Sequence, residues 1–332
     1  MTDPQSSERQ RAYVAWAVVC VLWGTTYLGI RIALETIPPA LLGGLRYTAA
    51  GALMVAVQRA RGAPVPWRHS LTLAVAGVLT IAVGNGLVIW AEQWVPSGIA
   101  AVMVATVPFW MAACEAVLPD GEALAPTIVI GLVLGFTGIV LLVWPDLSRG
   151  HVGASGFFGG VLALQVACIG WASGSALARR NARAQDPVTT AAMQMLCGGL
   201  AMLAIGTWTN EWARLAWTPR TIAAELYLTV FGSIIGYSAY SYALRHLSSA
   251  VVSLYAYANP VFAVLLGALV LGEPLTARVA VAAVLVLCGS AVVQARHVTA
   301  ITASLGKAFR RIVRSEEHTS ELQSRETISY AV

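Results

Sequence analysis

An all-α integral membrane protein of ten transmembrane helices, built as two inverted five-helix repeats, is the fold class that the sequence predicts, and three observations carry it. The 332 residues are 58% hydrophobic and only 11% charged, with a mean hydropathy of +0.71. A soluble domain carries about 25% charged residues, so most of this chain belongs in lipid. The apolar residues fall into ten runs, each near the ~20 residues that a helix needs to cross the hydrocarbon core. The second half also repeats landmarks of the first at a separation of roughly 150 residues.

Residues 1–11 are polar and read as a cytoplasmic tail. The run from 12 to 30 follows Arg9 and Arg11 but is too long for a signal peptide and lacks a small-x-small cleavage site, so it is expected to stay as the first span. The next spans read 38–58, 70–93, 97–118, 126–145, 155–178, 187–208, 222–244, 249–271 and 276–295. Membrane strands would be about 10 residues of strict alternation, which these runs lack, so each is predicted helical. Pro39, Pro126 and Pro187 fall in first turns, where a missing N–H costs nothing.

Charge sets the orientation. With the N-terminus inside, the cytoplasmic segments hold most of the Arg and Lys, including Arg59, Arg61, Arg68, Arg179, Arg180, Arg183 and Arg245. Only Arg31, Arg149, Arg214, Arg220 and Arg278 fall outside. Both termini are therefore expected in the cytoplasm. The organisation is a first repeat over 12–145, a second over 155–295 and a basic cytoplasmic tail over 296–313. Residues 314–332 are expected to be a translation artefact: Arg314–Ser324, RSEEHTSELQS, is the translation of a common short-read sequencing adapter, and Ile328–Val332 continues it. Resequencing across the end of the gene checks this, and a genomic stretch encoding the tail would overturn it.

Trp23 aligns with Trp171, Arg31 with Arg179, Pro39 with Pro187 and Gly51 with Gly199. After a slip in register Gly84 aligns with Gly236, Ser97 with Ser249, Pro108 with Pro260 and Gly121-Glu122 with Gly272-Glu273. Five spans per repeat is an odd number, so the second half enters the membrane from the opposite side. Inverted repeats place a site near the midplane between two alternately open arrangements, the construction of a secondary transporter.

Other functions are disfavoured. Most Arg lie in short connections rather than on a groove that tracks phosphates, so no nucleic-acid partner is expected. Cys20, Cys114, Cys168, Cys197 and Cys288 sit in apolar runs without CxxC spacing, which predicts neither a disulfide framework nor a metal site. All five His fall in connections or tails, no span carries Lys for a Schiff base, and there is no phosphate loop ending in Gly-Lys-Ser/Thr. An enzyme is not expected, nor a cofactor.

Arg46 lies about a third of the way into the second span, where a charge must face water or protein. It reads either as an anchor for a substrate carboxylate or as a structural Arg satisfied by carbonyls or Glu92. Trp23, Trp90, Trp110 and Trp171 sit deeper than the other seven Trp and line a cavity or pack the core. Tyr237, Tyr240 and Ser241 share one helical face. Thr25, Thr26, Tyr27, Asn85, Tyr255, Tyr257 and Asn259 add hydroxyls and amides that avoid lipid, lining a path or bonding helix to helix. Pro108 and Pro260 interrupt matched spans and are hinge candidates. Glu115 lies within a turn of a span end and reads as snorkelling rather than as a proton relay. Glu122 and Glu273 read as caps on the helices that follow them. Gly131-x-x-x-Gly135 brings helix backbones together, within the fold or in a homodimer.

The ten-span plan, Trp23-Gly24-Thr25-Thr26, Arg46, the Pro108 and Pro260 helices, and the ends Gly121-Glu122 and Leu271-Gly272-Glu273-Pro274 resemble the EamA family of the drug/metabolite transporter superfamily over about residues 12–296. The resemblance implies a bacterial inner-membrane exporter or permease for small metabolites, often amino acids, with a cavity between its halves. A carrier of sugars, nucleotide sugars or drugs is the alternative within the same superfamily. The implied partners are a small-molecule substrate and membrane lipids, with proton coupling and a monomeric or homodimeric state left open. The segment Leu118-Pro119-Asp120-Gly121-Glu122 departs from a plain Leu-Gly-Glu ending.

Overall fold

A computed structural model describes residues 4–62, 70–117, 126–148, 156–181, 186–247, 251–252 and 254–293, and contains no strand among them. Its helices are α1 (Gln10–Ala33), α2 (Pro39–Ala60), α3 (Leu71–Ala91), α4 (Ser97–Cys114), α5 (Pro126–Pro145), α6 (Phe157–Ala178), α7 (Pro187–Trp208), α8 (Pro219–His246), α9 (Tyr255–Leu271) and α10 (Ala277–Val293). The first eight are long and apolar enough to cross a membrane, and the last two are shorter. The chain is thus a multi-span α-helical membrane protein, with a helix inside each predicted span. The first helix differs from expectation by running back to Pro4 through the polar tail. Extending a formed helix is easier than nucleating one, and Gln and Glu propagate it well. The tail over 314–332, the loop with Glu122 and the side chain of Glu115 lie outside what is described.

Local chemistry sets the ends. Pro39, Pro126, Pro187 and Pro219 each open a helix, where the first turn leaves its N–H groups unpaired in any case. Thr218 and Thr221 cap α8 reciprocally, each hydroxyl accepting from the other's backbone N–H at 3.2 Å. Gly272, in left-handed geometry at φ 65°, ends α9. Glu273 then accepts from the backbone N–H groups of Ser97 (2.8 Å) and Gly98 (3.1 Å), so it caps α4 rather than the helix that follows it. Glu211 does the same for α2, accepting from Leu41 N at 2.9 Å.

Asp186 caps α7 by accepting from Thr189 N at 2.9 Å, and it gathers Gln58 Nε2 at 2.8 Å and the Arg245 guanidinium. Three helix ends thereby meet on one carboxylate. Burial pushes that carboxyl up, but the Thr189 and Arg245 hydrogen bonds outweigh it and hold it below the usual range. A lowered native pKa stabilises the fold above the unfolded value and is lost as pH falls through the native one. Asp186→Asn keeps a capping side chain but loses the charge toward Arg245, and is expected to remove about 0.5 kcal/mol of stability at neutral pH, with the gap to wild type closing below about pH 4. Thermal unfolding in detergent across that range checks it.

The most extensive helix contact joins α2 and α7, and glycine makes it possible. A Cβ on Gly51 would fall on the Leu196 backbone, one on Gly44 would lie 2.8 Å from Leu203 N, and one on Gly199 would strike the Thr48 backbone. The Gly131-x-x-x-Gly135 stripe is answered in the same way: a Cβ on Gly131 would lie 2.6 Å from Gly289 O of α10, and one on Gly135 would enter the Phe109 ring of α4. The stripe therefore packs inside the chain. Gly131→Leu is expected to cost about 1–3 kcal/mol by overpacking while leaving the mass of the detergent-solubilised particle unchanged, which light scattering checks.

Two pairs of features interrupt the helices. In α3 and α8 the backbone widens into i→i+5 turns over Val78–Asn85 and Leu228–Ile235. Such turns are rare and carry an extra residue per turn. In α4 the helix breaks at Ala105 and Thr106, where Pro108 cannot donate to the preceding turn. At the break Ser290 Oγ donates to Ala105 O, and Met103 O accepts both Thr106 N at 3.1 Å and Thr106 Oγ1 at 2.7 Å. Pro260 sits within α9, which stays helical around it.

Candidate functional site

Arg46 lies two turns into α2 and is only 3% exposed. Its Nε donates to Ser233 Oγ of α8 at 2.9 Å, and its guanidinium carbon stands 4.6 Å from the Tyr47 ring centre, a cation–π arrangement. Among the described residues its Nη donors have no hydrogen-bond acceptor. Two carboxylates lie within electrostatic reach of it, Glu92 and Glu225. Glu92 is fully buried and Glu225 is 8% exposed, yet among the described residues none of their four oxygens has a hydrogen-bond partner. Arg31 reaches this region by donating to the main-chain carbonyl of Glu92.

Glycine in the widened segment of α8 admits these side chains. A Cβ on Gly232 would stand 2.9 Å from Thr26 Cγ2 and 3.0 Å from Arg46 Nη2, and one on Gly236 would stand 2.6 Å from Trp23 Nε1. Trp23 Nε1 instead donates to Gly232 O at 3.1 Å. Its ring packs on Tyr237 (5.2 Å between centroids), Tyr240 (5.2 Å) and Tyr255 (4.9 Å). Those distances fall where aromatic pairs attract. Thr25 shares a hydrogen bond with Tyr227 OH, and Thr26 is buried with its hydroxyl returned to Trp23 O at 2.7 Å.

The remaining predicted residues divide in two. Tyr27 is buried within electrostatic reach of Glu92, and Ser241 is buried one turn beyond Tyr237. Asn259, with its amide turned to donate, reaches Cys20 O (3.3 Å) and Tyr255 O (3.0 Å) and so ties α9 to α1. Among the described residues the buried Tyr257 hydroxyl has no partner. Tyr27, Ser241 and Asn259 join the Arg46 and Trp23 group between α1, α2, α8 and α9. Asn85 stays on its own helix, donating to Thr80 O at 3.0 Å. Trp110 donates to Gln165 at 3.0 Å, and the Trp171 backbone abuts Gly84, so both belong to the α3, α4 and α6 side. Trp90 is 39% exposed and packs against Trp94 in the last turn of α3; it is apart from both groups.

Glu225, Gly232 and Ser233, with Tyr47 and Tyr227, are the members that sequence reasoning did not single out. Glu225 had a signal, since it is an acidic residue inside an apolar run like Arg46. Gly232 and Ser233 had none, because their role comes from the widened turn.

The EamA-like transporter family model matches the chain twice, over residues 10–144 and 158–294. The "uncharacterized inner membrane transporter YedA" of Escherichia coli K12 is 38% identical over 265 residues, covering 77% of this chain and 81% of that protein. The "uncharacterized transporter YvbV" of Bacillus subtilis is 25% identical over 305 residues, covering 90% and 96%. A crystal structure at 24% identity superposes with a TM-score of 0.59 over 85% of this chain and 96% of that one, a likeness of fold.

Proposed function

The chain belongs to the EamA-like transporter family, and from that premise we propose that it is a secondary carrier that exports small zwitterionic metabolites such as amino acids across a bacterial inner membrane by alternating access. The observation that carries the substrate class is Arg46: a buried guanidinium with one edge fixed by Ser233 and its Nη edge unclaimed among the described residues. A guanidinium edge binds a carboxylate in bidentate fashion. The Trp23, Tyr237, Tyr240 and Tyr255 rings beside it suit an apolar side chain. A phosphate-bearing cargo needs more positive charge than this single intramembrane Arg supplies.

Alternating access rests on the inverted-repeat reading, which several contacts support. α1 packs on α8 as α6 packs on α3, and α1 packs on α9 as α6 packs on α4. The α2 and α7 seam and the α4 and α9 contact join corresponding helices. The widened turns fall at corresponding places in α3 and α8, and the family matches the halves separately. Both termini are then cytoplasmic by the distribution of basic residues.

Counterflow in proteoliposomes tests the substrate class. Vesicles loaded with unlabelled aromatic or small neutral amino acids are expected to accumulate the labelled amino acid, and inside-out membrane vesicles read the direction. Exchange of nucleotide sugars or sugars, with none of amino acids, would overturn the reading.

A further inference from the structure

The break at Ala105 and Thr106 divides α4 into two pieces with different partners. The first piece, Ser97–Val104, packs most extensively on α9, and the piece from Val107 onward packs most extensively on α6. The contact with α9 needs glycine on both sides. A Cβ on Gly98 would stand 2.9 Å from Val264 Cα, and one on Gly267 would run into Glu273 Oε2 and stand 2.8 Å from Ser97 Oγ. Gly272, at φ 65°, turns the chain at the end of α9, and Glu273 N donates back to Gly267 O at 3.1 Å, which fixes the acid there. Its two oxygens then reach across to α4, one to Ser97 N at 2.8 Å and one to Gly98 N at 3.1 Å. Deeper in, the two helices part: Asn259 of α9 reaches Cys20 O of α1, while on α4 Trp110 donates to Gln165 of α6 at 3.0 Å and Cys114 pairs with Ser173 at 3.6 Å. A cavity of about 350 Å³ flanks the contact, with Trp94, Ile99, Leu142, Val264, Glu273 and Arg278 in its wall. Protein interiors are otherwise close-packed, so on that flank little opposes a shift of α4.

Resting on the alternating-access reading and its orientation, we infer that Glu273 is the latch of the outer gate: it holds the first piece of α4 onto α9 while the site is closed to the outside, and releasing it lets that piece swing about the break at Ala105 and Thr106. With the N-terminus inside, Ser97 and Glu273 both lie at outer helix ends, so the latch is shut here. The bond joins the first half of the chain to the second, where relative motion is needed. Hydrogen bonds from N–H groups to a carboxylate are strong, yet water answers both partners once they separate at a helix end, so the latch is reversible. A few residues at a helix break suffice as a hinge. Glu211 also caps a helix of the other half, but it does so on the α2 and α7 seam, which glycines hold together at Gly44, Gly51 and Gly199. Glu273 sits instead where two helices meet at one end and take separate partners at the other. It touches no substrate and acts through α4, as a positioning residue.

The test uses full-length protein whose five native cysteines are replaced. Spin labels on Ile99→Cys, in the cavity wall, and Leu269→Cys, exposed on the last turn of α9, report the separation of the two outer ends in nanodiscs. With Glu273 intact, one short distance is expected without substrate and a second, longer one with saturating L-phenylalanine or L-alanine. Glu273→Ala is expected to make the longer distance dominant without substrate, and Glu273→Gln, whose amide oxygen still accepts one bond, to fall between. A second reporter, Ser241→Cys, is labelled by an impermeant thiol reagent from each face of the membrane. Losing two hydrogen bonds to a charged group is expected to raise the ratio of outside to inside labelling at least about tenfold in Glu273→Ala. A merely loosened fold would raise labelling from both faces and leave the ratio alone. An unchanged ratio and an unchanged distance in Glu273→Ala, with labelling from both faces, would overturn the latch and leave the carrier standing. Labelling from one face only, with and without Glu273, would overturn alternating access and the latch with it. If the variants fail to fold, the protein with Glu273 intact decides: a distance that neither amino acid lengthens, in protein that exchanges them, would overturn the latch.

Discussion

Arg46→Ala is expected to abolish counterflow while the protein still inserts in the membrane. Removing one partner of a buried, hydrogen-bonded charge contact costs about 2–5 kcal/mol, which is thirtyfold or more in affinity. The variant also leaves Ser233 Oγ, Glu92 and Glu225 without their one shared cation. Arg46→Lys separates charge from shape: it keeps the positive charge but loses the Nε contact to Ser233 and the two-pronged Nη edge. It is expected to stay at least tenfold impaired. Initial rates of counterflow at matched protein content check both, and a Lys variant with wild-type rates would reduce Arg46 to a generic charge.

Trp23→Ala is expected to have the largest effect on stability. Trp23 is 9% exposed, touches three Tyr rings and holds the widened segment of α8 through Gly232 O. Truncating a buried Trp costs about 3–5 kcal/mol. Trp23→Phe retains a ring against Tyr237, Tyr240 and Tyr255 but gives up the bond to Gly232 O, so it isolates a hydrogen bond worth about 1 kcal/mol. Thermal unfolding in detergent, followed by loss of monodisperse protein, is expected to rank wild type above the Phe variant and the Phe variant above the Ala variant. An Ala variant as stable as wild type would remove Trp23 from the core of this site.

The sequence carried the spans and much of the site because both depend on signals of long period or strong contrast. Apolar runs near 20 residues located a helix in every predicted span, and Arg46, Trp23, Tyr237 and Ser241 stood out by charge or by shared face. What escaped depends on backbone detail. The widened turns of α3 and α8 break the 3.6-residue period on which face arguments rest, so Gly232 and Ser233 gave no warning of their contacts with Trp23 and Arg46. Glu225 lies three residues into the predicted span at 222–244 and was not singled out, whereas α8 begins at Pro219 and buries it. Trp90 was placed deep by a boundary at residue 93, and the helix ends at Ala91, which leaves that ring beside Trp94 in the last turn. Glu273 could not be assigned to α4 from sequence, since the two meet only through the packing of α4 on α9.

Alternating access around this site is the central claim, and two-sided labelling tests it most directly, whatever the substrate. Ser241 is buried at 4% exposure beside the aromatic group and makes a suitable reporter. In a variant whose five native cysteines are replaced, Ser241→Cys would be treated with a membrane-impermeant thiol reagent in right-side-out and in inside-out vesicles. The account predicts labelling from both sides, with saturating counterflow substrate slowing each. Labelling from one side only, under every substrate condition, would contradict it.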